Sequence, residues 1–131
     1  MDHQIFTNTS LTLKITVMKD LRNRVQLIGN LGMDPEVKQL DGGRTMAKFS
    51  LATTQSYNNA QGEKVKDTQW HNLVLWGKQA EIAAKYLKKG SEITADGKIV
   101  YRSYENKEGQ TKYITEIVVS DFLMLAKAKK D

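Results

Sequence analysis

The feature that most narrows what this chain can fold into is the order in which its hydrophobic period changes. Apolar residues recur at every second position, switch once to a helical spacing, and then switch back. Strand side chains alternate faces while helical ones return every three to four positions, so an order of periods is an order of elements. "RNRVQLIGNLG" (22–32) sets Val25, Leu27 and Gly29 in register and ends in a glycine-rich turn. "MDPE" carries the only proline, Pro35, suited to a turn or strand edge, and "VKQL" (37–40) resumes the strand. "DGG" (41–43) is a hairpin signal. "TMAKFSLATTQSY" (45–57) puts Ala47, Phe49, Leu51 and Thr53 on one face, and after the polar loop "NNAQGEK" a third strand covers "DTQWHNLVLW" (67–76).

The period then becomes helical. In "KQAEIAAKYLKKG" (78–90), Ala80, Ile82, Ala83, Ala84, Tyr86 and Leu87 fill a wide arc, and Lys78, Glu81, Lys85, Lys88 and Lys89 take the remainder as a solvated face. Gly90 is the expected helix stop, and the closing lysines suit the helix dipole. Alternation returns in "EITADGKIVYRSY" (92–104), with Ile93, Ala95, Gly97 and Ile99 on one face, and in "TKYITEIVVSDFLML" (111–125), the two joined by the loop "ENKEGQ". Three strands, one helix and two strands predict an all-β fold. The best match is a five-stranded oligonucleotide-binding (OB) barrel with one α-helix between strands 3 and 4. Gly97 inside the fourth strand permits a sharp bend. No internal repeat is visible.

The expected domain spans residues 21–124. Before it, residues 1–20 read as an N-terminal extension, with an extra strand over Leu11, Leu13, Ile15 and Val17 as the alternative. After it, 125–131 form a short basic end. A chain of 131 residues supplies one domain with a real core. It has no run of about 18 apolar residues and no secretory start, so neither membrane span nor signal is expected. The absence of cysteine excludes a disulfide framework, a thiolate nucleophile and a cysteine-ligated metal, and fits a cytoplasmic location. A net charge of +5 and a pI near 9.4 suggest a polyanionic partner.

Both tryptophans lie in one strand, at Trp70 and Trp76. Alternation gives Trp70, Asn72, Val74 and Trp76 one face and His71, Leu73 and Leu75 the other, and the second set makes the better barrel interior. Two outward tryptophans imply a partner. Strand four adds an outward row of Thr94, Asp96, Lys98, Val100, Arg102 and Tyr104, and Tyr57 sits where strand two enters its loop. Rings and cations on one curved surface suit single-stranded nucleic acid, since unpaired bases stack on aromatic faces at about 1–3 kcal/mol each while Lys and Arg hold phosphates. Tyr86, Tyr101, Tyr113, Phe49 and Phe122 are expected in the core.

"GNLGMDPEVK" (29–38), "WHNLVLWGKQAE" (70–81), "YLKKG" (86–90) and "GKI" (97–99) occur in an order that resembles the bacterial single-stranded DNA-binding (SSB) protein family, collinear over roughly residues 21–122. The resemblance implies an OB fold, a homotetramer, and sequence-independent coating of single-stranded DNA in replication, recombination and repair, in the cytoplasm beside the nucleoid. It places the stacking rings at Tyr57, Trp70, Trp76 and Tyr104, with tyrosine where some relatives carry tryptophan. It places basic contacts at Arg24, Lys78, Lys89 and Arg102, to which the outward row adds Lys98. It makes His71 a candidate for the oligomer interface, although inward parity equally suits a satisfied core histidine. Such proteins end in an acidic tip that recruits replication and repair enzymes. Here the end reads "KAKKD", so tail-recognising enzymes are not expected partners.

Catalysis has little support. The histidines are His3 and His71, no metal-ligand spacing occurs, and "DGGRT" lacks the pattern of a phosphate-cradling loop. No enzyme activity, cofactor, metal or small-molecule substrate is expected. A protein-assembly module that buries the tryptophans, and a binder of unstructured RNA, are the competing readings. Rings and cations together favour nucleic acid over protein, and no residue visibly reads a 2′-hydroxyl.

Overall fold

The computed structural model describes residues 21–125. The expected N-terminal extension, with its alternative of an extra strand, and the end from residue 126 lie outside them. The described chain begins with a single 3-10 turn (Leu21–Asn23). It continues through β1 (Val25–Leu31), β2 (Glu36–Leu40), β3 (Arg44–Asn58), β4 (Lys64–Trp76), α1 (Lys78–Tyr86), β5 (Glu92–Glu105) and β6 (Thr111–Met124).

Alternation closes into a barrel. The strands pair in the order β1–β5–β6–β4–β3, and β3 returns to β1 through Asn30↔Ala52 and Leu31↔Leu51. β2 pairs only with β3, from Leu40↔Arg44 to Glu36↔Lys48, so the five other strands form the closed barrel. The inward positions are the expected ones. Ala47, Phe49 and Leu51, Leu73 and Leu75, Ile93 and Ala95, and Ile117 and Val119 make one buried cluster, joined by Phe122. Burying such a side chain contributes about 1.5–3 kcal/mol. Helix α1 adds Ala80 and Ala83, both fully buried, and small residues let it lie close against the barrel.

The expected bend at Gly97 is a register irregularity between Asp96 and Gly97 in the β5–β6 ladder. A Cβ there would run into the Val118 carbonyl, so only glycine lets the strands approach where the sheet curls.

The helix ends earlier than its pattern suggested. Leu87 is already extended (φ −97°, ψ 148°) and 5% exposed, turned into the core. Gly90, at φ +91°, serves the later turn into β5, where its N–H donates to the Leu31 carbonyl at 2.8 Å.

A repeat that escaped the sequence reading closes both long hairpins. Ser56-Tyr57-Asn58-Asn59-Ala60-Gln61-Gly62 joins β3 to β4, and Ser103-Tyr104-Glu105-Asn106-Lys107-Glu108-Gly109 joins β5 to β6. In each, the asparagine side-chain oxygen accepts two backbone N–H groups, from Gln61 and Glu63 or from Glu108 and Gln110, at 2.9–3.0 Å. Gly62 and Gly109 take φ near +78°. The shared tip was hidden because its spacing belongs to neither strand nor helix.

Three tyrosines expected in the core are exposed: Tyr86, Tyr101 and Tyr113. The β5–β6 hairpin runs past the end of the barrel, so inward parity at Tyr101 and Tyr113 faces no core. Tyr86 ends the helix, with the Lys85 Nζ 5.6 Å from its ring centre.

Candidate nucleic-acid interface

The register across β3 and β4 pairs Ala52 with Trp70, Ser50 with Asn72, Lys48 with Val74 and Met46 with Trp76, all on the outer face. The parallel β4–β6 contact at Val74↔Val118 continues that face onto β6, and Val118↔Lys98, Glu116↔Val100, Ile114↔Arg102 and Lys112↔Tyr104 carry it to β5. One curved surface therefore collects Trp70, Trp76, Lys98, Arg102 and Tyr104.

Trp70 is 62% exposed although it is among the largest side chains of the chain. Its ring is seated on Gly32, where a Cβ would collide with the indole and lie 2.9 Å from the Ser50 hydroxyl. The Gly32 N–H donates to the Ser50 carbonyl at 2.9 Å and fixes that seat. Trp76 is half-buried, with the Arg44 guanidinium carbon 4.4 Å from its ring centre. Val74, between them, keeps the outward parity but is 5% exposed. It lines a shallow cavity of about 170 Å³ with Met33, Ile114 and Glu116.

The two arginines expected at phosphates are both paired. Arg102 donates through Nε and one terminal nitrogen to the Glu116 carboxylate at 2.8 and 3.0 Å. Glu116 is buried, and its hydrogen bond raises the Arg102 pKa above the usual guanidinium value, with burial pulling the other way. Arg24 holds Asp96 in the same bidentate manner, at 3.0 and 2.9 Å. Lys78 opens α1 and is exposed, as is Lys98. Lys89 is exposed in the turn before β5, its N–H donating to the Asp34 carboxylate at 2.8 Å. Sequence reasoning missed Arg44 and Glu116, and set Asp96 on the outward row without its pairing to Arg24. Counting residues back from the β3–β4 tip would have set Met46 opposite Trp76, with Arg44 two positions on.

Tyr57 and Tyr104 are 54% and 49% exposed. Tyr104 shares the outer face, but Tyr57 has the parity of Thr53 and Leu51 and so lies on the other side of its hairpin. His71 is half-buried on that second side, its Nε2 2.9 Å from the Thr53 hydroxyl. A pocket there brings His71 together with Tyr113, Ile99 and Thr115.

Among the described residues no group of His, Asp and Glu is placed to hold a metal ion, and no helix is long and apolar enough to cross a membrane.

Comparison with known proteins bears on the family and the fold. A curated relative, single-stranded DNA-binding protein 1 of Chlorobaculum tepidum, is 43% identical over 104 residues, which is 79% of this chain and 64% of that protein. The chain thus spans just under two thirds of the length of that relative. A solved structure described as Plasmodium falciparum SSB in complex with ssDNA superposes with a TM-score of 0.73 at 34% identity, covering 79% of this chain and 95% of the other. The family model described as the single-strand binding protein family matches residues 22–125, nearly the whole described fold, and the chain belongs to that family.

Proposed function

We propose that this chain binds single-stranded DNA without sequence preference and protects it during replication, recombination and repair, with no catalytic activity and no cofactor. The carrying observation is Trp70, held open on its glycine seat on a face that also bears Trp76 and Tyr104. The solved Plasmodium falciparum SSB complex with ssDNA shares this fold. Bases stack on the rings, and Lys78, Lys89, Lys98 and the outer edges of Arg24 and Arg102 meet phosphates. The two bidentate pairs spend much of the arginine charge within the fold, so stacking carries a larger share of affinity than the number of cations on this face implies. A strand that touches both Trp70 and Tyr57 passes around the β3–β4 hairpin, which favours wrapping over a straight track.

Counted among the five barrel strands alone, with β2 as an outlying continuation of β1, the helix falls between the third and fourth. Self-association into a homotetramer is supported by apolar side chains left in water: Ile28 and Leu123 on the barrel exterior, Tyr101 on the β5–β6 hairpin, and Tyr113 beside His71. Cytoplasmic, nucleoid-associated placement follows from a DNA ligand.

Titration with oligo-dT while following tryptophan emission tests the reading. Strong quenching is expected, weakening as salt rises through counterion release. Unchanged emission at stoichiometric concentration overturns it and favours a protein partner for the tryptophans. Parallel titration with oligo-U separates an RNA preference.

A further inference from the structure

Among the described residues, the outer face has one arginine with no carboxylate partner in the fold. Arg24 and Arg102 each hold a carboxylate, and Lys48 lies 3.9 Å from Glu36. Arg44 is exposed, and among the described residues no carboxylate lies within ion-pair distance of it. Its guanidinium instead lies over Trp76. We propose that Arg44 is a nucleic-acid contact that carries the bound strand past Trp76 onto the β2–β3 edge.

The placement follows from the register. Arg44 opens β3 directly after the Asp41–Gly43 turn, with Leu40 opposite it. Met46, two residues on along the same face, pairs with both Lys38 of β2 and Trp76 of β4. Arg44, Lys38 and Trp76 therefore share one end of the outer face, and Lys38 is a second exposed cation there. The guanidinium lies beside any base that stacks on the exposed part of the half-buried indole. It also holds a charge next to that base, where the following phosphate lies. Arginine suits both tasks, because its planar group rests on an aromatic ring while its outward N–H groups remain able to donate to phosphate oxygens.

The proposal rests on the single-stranded nucleic-acid reading, and the test keeps the two apart. Oligo-dT binding by the full chain is followed by anisotropy across a sodium chloride series for wild type, Arg44→Ala and Arg44→Lys. Arg44→Ala is expected to weaken binding about three- to tenfold at low salt and to flatten the slope of log K against log salt by about 0.7, the loss of one phosphate contact on a single strand. Arg44→Lys keeps the charge and is expected to restore the slope. In a Trp70→Phe background, either substitution shifts the emission of Trp76 by removing the planar group from its face. Wild-type binding with an unchanged slope or affinity in Arg44→Ala, or a slope that Arg44→Lys leaves flat, overturns the proposal. Failure of wild type to bind oligo-dT instead removes the nucleic-acid reading itself. Circular dichroism of each variant reports retained folding, as expected for an exposed side chain.

Discussion

Trp70 and Trp76 are outward residues of one strand in different states, and the neighbours decide which. Gly32 lets the Trp70 ring lie flat and open, whereas Arg44 covers part of Trp76. Trp70→Ala is accordingly expected to cost about 1–3 kcal/mol of oligo-dT binding, measured by titration, with unfolding unchanged. Retained affinity would move the strand path away from Trp70, and lost folding would make the ring structural. Arg102 behaves oppositely. Its partner Glu116 is buried on the outer face, so Arg102→Ala strands a carboxylate out of water. The expected cost is about 1–3 kcal/mol in urea unfolding, held to that range because Arg102 itself is half-exposed. The companion Arg102→Ala, Glu116→Gln pair is expected to recover most of that loss. Equal stability of single and double variants would show that the loss does not come from a stranded carboxylate.

The two long hairpins show how an element positions a residue it does not itself contact. Each projects past the barrel, exposed on both faces, where paired strands alone are marginally stable. Each is closed by the same asparagine–glycine tip, with a tyrosine two positions before the asparagine. Asn59→Ala removes the acceptor of two backbone N–H groups, at about 0.5–1.5 kcal/mol net each. Amide exchange is expected to quicken along residues 54–67 and stay unchanged in the β5–β6 hairpin, with Asn106→Ala giving the mirror result. Quickening in both hairpins after either substitution would mean that they are ordered jointly rather than by their own tips.

At the scale of the molecule, the barrel has strong ladders and thin seams. β3–β4 and β5–β6 are paired along their length, but β1–β3 and β4–β6 each meet over two residue pairs. The seams carry few ladder hydrogen bonds and hold largely through the shared apolar interior. Native-state amide exchange is expected to find the lowest opening free energy in the described barrel at the β1–β3 seam, near Asn30 and Leu31, while Phe49, Leu51 and Leu73 amides exchange only with global unfolding. Uniform protection across the seam and the ladders would overturn that division.

The chain's alternation by itself determined the barrel strands, the inward set and the outward tryptophans, because faces follow from parity and parity is local. The helix was legible by its period, though not its end, since Leu87 leaves the spiral to satisfy the core. Tertiary structure alone decided the rest. Where the hairpins outrun the barrel, parity no longer means burial, which is why Tyr57, Tyr101 and Tyr113 face water. Which cations are free was equally invisible, because Asp96 meets Arg24 across β1–β5, Glu116 meets Arg102 diagonally across β5–β6, and Arg44 reaches Trp76 over an adjacent strand. Charge pairing is set by distance in space, and residues far apart along the chain come together only once the sheet has closed.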